Sequence, residues 1–267
     1  MFPEILHAQQ IILLFKERGI KNIVISPGSR NAPLTIGFSE NSFFNCYSIV
    51  DERCAAHVAL GIAQQLLAPV AVLCTSGSAM LNYYPAVAEA FYSEIPLIVL
   101  SADRPPHKID IGDGQTIRQQ HIYANHILFD TQLEIIKTVD DREGIATNER
   151  LINKAINTSI AQHGPVHINV PFEEPLYNRV EKPSLEVKVI DFINDESGVI
   201  PDSFTKQWKM AKRKLVILST LNPPVFDKED LDVLTSDPSV LVMSEVSSNV
   251  VHYKVIWGID TLIASFL

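Results

Sequence analysis

Cysteine is scarce in these 267 residues, and basic clusters and long apolar runs are missing. Cys46, Cys54 and Cys74 are odd in number and lie in apolar segments, so they read as buried thiols in a reducing compartment. The formal net charge is −9. With no basic run to offset it, this argues against nucleic acid and against an anionic membrane surface as partners. No apolar stretch reaches the roughly 20 residues that span a bilayer. The N-terminal helical pattern carries Glu4, Lys16, Glu17 and Arg18 and lacks the apolar core of a signal peptide. A cytoplasmic chain away from the membrane is therefore expected. There is also no Gly-x-Ser-x-Gly elbow for a serine nucleophile. The histidines lack metal spacing, since His163 and His167 flank the Gly164-Pro165 turn and do not share a helix face.

What is present is core-forming material, 46% hydrophobic, arranged in alternation. Strand-like runs at 22–26, 45–50, 70–75, 96–101, 133–139 and 166–170 interleave with helical patterns at 4–18, 32–40, 52–67, 79–92 and 146–162. Continuous apolar strands between helices predict an α/β fold, a doubly wound, mostly parallel sheet covered on both faces. A polar, acidic, proline-bearing stretch follows, and after it a second α/β unit starts, with a helix near 201–212, a strand at 214–220, a helix near 227–235 and a strand at 239–243. The expected organisation is a first domain over 1–180, a linker over 181–199 and an incomplete second domain over 200–267.

Four strand-to-helix junctions carry the polar chemistry. Ser26-Pro27-Gly28-Ser29-Arg30-Asn31 breaks a strand at Pro27-Gly28 and opens a helix with Pro33 in its first turn. Val50-Asp51-Glu52-Arg53 puts Asp51 at an N-cap and Glu52 at the mouth of a helix whose apolar positions should bury it on nearly every side. Thr75-Ser76-Gly77-Ser78-Ala79 breaks another strand at a glycine. Ala102-Asp103-Arg104-Pro105-Pro106 leads to Gly112-Asp113-Gly114-Gln115-Thr116-Ile117-Arg118-Gln119. Taken alone, Glu52 is either a capping acid or a carboxylate that needs a buried partner. Arg30 and Arg104 are either domain-interface salt bridges or guanidinium forks for a carboxylate ligand. Ser29 and Gln115 are either turn chemistry or ligand contacts.

In this order and at these spacings, the four runs resemble the 2-succinyl-5-enolpyruvyl-6-hydroxy-3-cyclohexene-1-carboxylate synthase family, thiamine diphosphate (ThDP) enzymes of menaquinone synthesis. The resemblance spans the whole chain but only the front of that family's three-domain plan: the pyrimidine-binding domain and the opening of the central domain. It implies that Glu52 is the catalytic, cofactor-activating glutamate, hydrogen-bonded to N1′ of the aminopyrimidine. It implies that Thr75, Ser76 and Gly77 line the cofactor's pyrimidine end, and that Ser29, Arg30, Arg104 and Gln115 contact substrate. Some relatives carry an Asn that reaches substrate just before that glutamine; here the position is Gly114.

The implied reaction decarboxylates 2-oxoglutarate and adds the resulting acyl-anion equivalent to isochorismate. The implied assembly is a cytoplasmic homo-oligomer, dimer or tetramer. Mg²⁺, or manganese in its place, is expected to be held by the C-terminal diphosphate domain, which is expected to lie outside this chain. No metal ligand is expected within it. Gly112-Asp113-Gly114 has letters similar to that domain's metal motif but lacks its preceding strand, so it reads as a turn. The chain stops inside an apolar run, Thr261 to Leu267, as a fragment would, and is expected to be inactive alone. Two alternatives stand beside this reading: another ThDP lyase of the acetolactate synthase kind, and a non-catalytic interaction module on the same fold.

Overall fold

The computed structural model describes residues 1–191, 200–221 and 226–264. The chain divides into two units, Met1–Phe192 and Ile193–Leu267.

In the first unit the elements are β1 (Phe2–Pro3), α1 (Leu6–Glu17), β2 (Asn22–Ile25), α2 (Ala32–Ser39), β3 (Asn45–Ser48), α3 (Glu52–Leu66), β4 (Val70–Cys74), a 3₁₀ stretch Gly77–Tyr83, α4 (Tyr84–Tyr92), β5 (Leu97–Asp103), β6 (Phe129–Gln132), α5 (Arg142–Gln162), β7 (Val166–Pro171) and β8 (Arg179–Val180). Six strands form one sheet in the order β3-β2-β4-β5-β7-β6, and every pairing is parallel. β1 and β8 pair separately, antiparallel. Alternate residues of each strand feed opposite faces. Ile23, Ile25, Leu73, Leu100 and Ile168 pack with α1, α2 and α5, while Val24, Val72, Cys74 and Val99 pack with α3 and α4. The sheet is therefore covered on both sides, as the apolar runs predict.

Several expectations need correction. The strand predicted at 133–139 lies instead at Phe129–Gln132. Leu133 and Ile136 are buried, so the apolar signal was real. The backbone there leaves the ladder because side chains take its amides: Asn148 Oδ1 accepts from Glu134 N (2.8 Å) and His7 Nδ1 from Ile136 N (3.3 Å). Helix α3 is buried on one face only, through Ala55, Ala56, Ala59, Leu60 and Ala63, while Cys54, His57 and Val58 are exposed. β3 is an edge strand, exposed throughout. Cys46 on β3 and Cys54 on α3 are therefore exposed thiols, and only Cys74, on central β4, is buried as expected. The helix predicted at 79–92 begins as the 3₁₀ stretch, with α4 starting at Tyr84 and a proline in its first turn.

Of the segment expected as a linker, 181–199, residues 192–199 lie outside the described residues. The part before them is tied to α5. Asn153 Nδ2 donates to Lys188 O (2.9 Å), Asn157 Nδ2 to Ile190 O (2.6 Å), and Lys188 N to Glu149 Oε2 (2.7 Å). Those three side chains are four residues apart, on one helix face.

The second unit holds α6 (Asp202–Met210), β9 (Lys214–Leu218), α7 (Lys228–Ser236), β10 (Val240–Ser244), β11 (Ile256–Trp257) and α8 (Ile259–Ile263). Its three strands are parallel in the order β11-β10-β9, around a small core of Leu218, Leu231, Val242 and Val255. Asp227 caps α7 in a reciprocal box with Asp230. Residues 265–267 of the terminal apolar run lie outside the described residues.

Candidate active site

The main sheet is parallel, so its strands all end on one edge, and the chain's polar junctions collect there. Connections run from β2 outward to β3 and then back across β2 to β4, so their direction reverses between β2 and β4. Open α/β sheets bind ligands outside the strand ends at such a switch point.

After β2, Gly28 sits against Thr75 at the end of β4. A Cβ on Gly28 would come within 2.5 Å of the Thr75 Cβ, so the two loops meet only because residue 28 has no side chain. Ser29 is exposed, and its carbonyl accepts from Ala32 N. Asn31 is buried and donates to Ser26 O (2.9 Å). Arg30 is buried, with Nη1 donating to Phe172 O (3.0 Å) and Nη2 to Glu174 Oε1 (3.1 Å); its Nε has no hydrogen-bond partner among the described residues.

After β3, Asp51 caps α3 as the sequence predicts, its carboxylate accepting from Cys54 N (2.8 Å). Glu52 is the first residue of α3 and is half-buried. Asn82 Nδ2 approaches its Oε2 at 3.5 Å, and its other oxygen makes no hydrogen bond among the described residues. Its charge reaches the buried end of β4. Burial pushes the Cys74 thiol up, a Tyr83 hydrogen bond opposes this, and the nearby Glu52 carboxylate adds to the rise. Tyr83 itself, pushed up by burial, donates to Ser26 Oγ (3.2 Å), joining the end of the 3₁₀ stretch to the end of β2.

After β4 and β5 the loops interlock. Ser76 Oγ donates to Gln115 O (3.0 Å), and Gln115 Nε2 donates back to Ser76 O (3.2 Å). Gly77 has φ +81° and donates its N–H to Gln119 Oε1 (2.7 Å). Arg104 Nη2 donates to Gly114 O (3.2 Å), which ties that arginine to the Gly112–Gln115 turn. Ser76, Gly77 and Gln115 thus come together, while Arg30 and Arg104 are held by separate partners.

One cluster went unnoticed in the sequence. Beneath the site Ser101, His167 and Asn169 are fully buried. His167 Nε2 meets Ser101 Oγ (2.7 Å) and its Nδ1 meets Asp130 Oδ2 (2.9 Å), so three residue types of a hydrolytic triad are in line. Ser101 is inaccessible and already donates to Asn169 Oδ1 (2.7 Å), so it is no nucleophile. Asn169 Nδ2 donates to Asp103 Oδ2 (2.8 Å), which offsets part of the upward push that burial gives the Asp103 carboxyl. The available signal was the period-two placement of polar residues in apolar strands: Ser101 and Asp103 on β5, His167 and Asn169 on β7. Among the described residues, no group of three or more His, Cys, Asp or Glu side chains is arranged to hold a metal ion.

Comparison with known proteins places the chain among relatives of known name. Residues 7–127 match a family described as thiamine pyrophosphate enzyme, N-terminal TPP binding domain. The 2-succinyl-5-enolpyruvyl-6-hydroxy-3-cyclohexene-1-carboxylate synthase of Flavobacterium psychrophilum is 53% identical over 267 residues, covering all of this chain and 47% of the relative. That of Flavobacterium johnsoniae is 53% identical over 270 residues, covering 100% and 48%. That of Christiangramia forsetii is 47% identical over 270 residues, covering 96% and 47%. Among solved structures, benzoylformate decarboxylase from Polynucleobacter necessarius superposes with a TM-score of 0.63 at 20% identity, over 82% of this chain and 39% of that one, a likeness of fold. The chain spans about half the length of the curated relatives it matches. It belongs to the 2-succinyl-5-enolpyruvyl-6-hydroxy-3-cyclohexene-1-carboxylate synthase family of thiamine pyrophosphate enzymes.

Proposed function

We propose that this chain forms the pyrimidine-binding half of a synthase that decarboxylates 2-oxoglutarate and joins the remaining four-carbon acyl unit to isochorismate. The product is 2-succinyl-5-enolpyruvyl-6-hydroxy-3-cyclohexene-1-carboxylate. The observation that carries the proposal is Glu52, a half-buried carboxylate with one oxygen unpaired among the described residues, at the switch-point edge of a parallel sheet.

The residues suit an aminopyrimidine. Glu52 offers a carboxylate to a ring nitrogen, and Gly28 and Gly77 bring bare backbone to the same edge. When bound, thiamine diphosphate supplies the electron sink through which carbon dioxide leaves and the new carbon–carbon bond forms. Glu52 holds and returns a proton at N1′ of the pyrimidine. Thr75, Ser76 and Gly77 line the ring's surroundings. Ser29, Arg30, Arg104 and Gln115 face the substrates, and the planar guanidinium groups match their carboxylates. Arg30 is paired with Glu174, so a substrate carboxylate that takes Arg30 displaces Glu174.

The Mg²⁺ ligands, or those of manganese, belong to sequence beyond these 267 residues, and the assembled enzyme is a cytoplasmic homo-oligomer, dimer or tetramer. The chain alone is accordingly inactive and lacks tight cofactor binding. Calorimetric titration with thiamine diphosphate and Mg²⁺ is expected to show no micromolar site, and finding one would overturn this division of labour. In the assembled synthase, Glu52→Gln is expected to cut turnover by a factor on the order of 10² or more. Arg30→Ala is expected to act on the substrate requirement. A Glu52→Gln enzyme with unaltered turnover refutes the proposal.

A further inference from the structure

We propose that Gln115 and Gln119 clamp a single peptide unit, Ser76–Gly77, from both sides, and that Gln119 is the positioning residue that sets how this loop meets the cofactor. The proposal rests on the reading of Thr75–Gly77 as the pyrimidine-end loop.

A trans peptide points its C=O and N–H in opposite directions. Here the carbonyl of Ser76 accepts from Gln115 Nε2 (3.2 Å) and the N–H of Gly77 donates to Gln119 Oε1 (2.7 Å). Two carboxamides four residues apart in sequence therefore grip opposite edges of one peptide plane. The turn needs a glycine: Gly77 has φ +81°, which residues with a side chain rarely adopt, and a Cβ there would lie 2.9 Å from both Gln115 Cγ and Gln115 O. Rotation of the peptide would break both bonds.

The two grips differ in their backing. Gln115 is exposed, whereas Gln119 is buried, and its Nε2 donates to Asn169 Oδ1 (2.8 Å) and Ala102 O (3.1 Å). Asn169 is fixed in turn by Ser101 and Asp103. The buried cluster under β5 and β7 thus ends on the Gly77 amide, and that gives the misplaced triad a role. It is an anchor that fixes which face of Gln119 points at the loop. Gln115 stays at the surface as the adjustable grip.

Amide hydrogen exchange on the chain reads the clamp without any cofactor. In the unaltered chain the Gly77 amide is expected to exchange at least about tenfold slower than its intrinsic rate, since a buried hydrogen bond must open first. Exchange at the intrinsic rate overturns the proposal, whatever any variant does. In Gln119→Met the Gly77 amide is expected to exchange at least tenfold faster than in the unaltered chain while the amides of β4 keep their rates. Equal Gly77 rates overturn it.

The second arm uses the assembled synthase. Gln119→Met is expected to raise the thiamine diphosphate concentration for half activity at least tenfold while turnover at saturating cofactor stays within about threefold. A general loss of folding would lower turnover and leave the cofactor concentration for half activity unchanged, which overturns the positioning role. Faster Gly77 exchange with unchanged cofactor requirement overturns the positioning role. It leaves the assignment of Glu52 standing, because that assignment is read by a different proton.

Discussion

Gly77 meets two separate demands that can be told apart by comparison with Gly112. Both glycines have positive φ, +81° and +83°, which costs a residue with a side chain about 1–3 kcal/mol. Only Gly77 has backbone and side chain of Gln115 in the space a Cβ would take; around Gly112 nothing lies within 4 Å. Gly77→Ala is therefore expected to destabilise by roughly 1 kcal/mol or more beyond Gly112→Ala, since the clash adds to the backbone strain. Urea midpoints of the two variants measure the difference, and equal losses would place Gln115 elsewhere. At this scale the sequence was informative where geometry is local. Asp51 could be read as a cap because the strand-to-helix junction is contiguous, and Gly77 as a break because a strand stops there. Gln119 could not. Its partners, Gly77 and Asn169, lie 42 and 50 residues away, and only the β4-β5-β7 neighbourhood brings them within reach.

Among the elements, α1 is joined to the end of β7 by a histidine. His7 is buried; its Nε2 meets Pro171 O (2.9 Å), and its Nδ1 accepts from Ile136 N (3.3 Å). With both nitrogens used in this way, the ring is neutral and its Nε2–H donates to Pro171. Burial lowers its pKa from 6.5 to about 4, against a smaller upward pull from the Pro171 carbonyl. The unfolded chain takes up this proton near 6.5 and the fold only near 4. Between those values the unfolded state binds more protons. Stability is thus complete above about 6.5 and falls as the pH drops towards 4, by a total on the order of 3 kcal/mol. Denaturant midpoints at pH 7 and pH 4.5 are expected to differ more in the unaltered chain than in His7→Gln. Equal pH dependence in the two would show that His7 does not carry the linkage. The same contact explains a misplaced element. Residues 133–139 have the apolar content of a strand, and periodicity registers content, but hydrogen bonds to His7 and Asn148 draw that backbone off the sheet. The exposure of α3 was hidden for the same reason. Alanine and valine positions around the helix show what could be buried, without showing that neighbours occupy only one side.

In the whole molecule, that bare side of α3 becomes a prediction. Val58 and Leu66 on α3, Val50 before it and Leu81 after β4 are all exposed. Apolar positions left open together on one face are expected to mark a surface that another chain covers. The chain is expected to self-associate at high concentration in light scattering, and a clean monomer at all concentrations would count against an interface here.

The fold class was legible from alternation alone, and the family from four short junctions. The sheet order was not, because nothing in a linear pattern states that β7 inserts between β5 and β6. That insertion places Asn169 and His167 beneath the site.

The role given to the assembled enzyme turns on one proton. Deuterium exchange at C2 of bound thiamine diphosphate, measured in the assembled synthase, reports whether Glu52 controls the pyrimidine's N1′. Glu52→Gln keeps the shape and is expected to change stability by no more than about 1 kcal/mol. It is expected to slow C2 exchange in parallel with turnover, by about 10²-fold or more, while Arg30→Ala leaves exchange unchanged. If exchange in Glu52→Gln matches the unaltered enzyme, Glu52 is a helix-mouth acid and has no part in activating the cofactor.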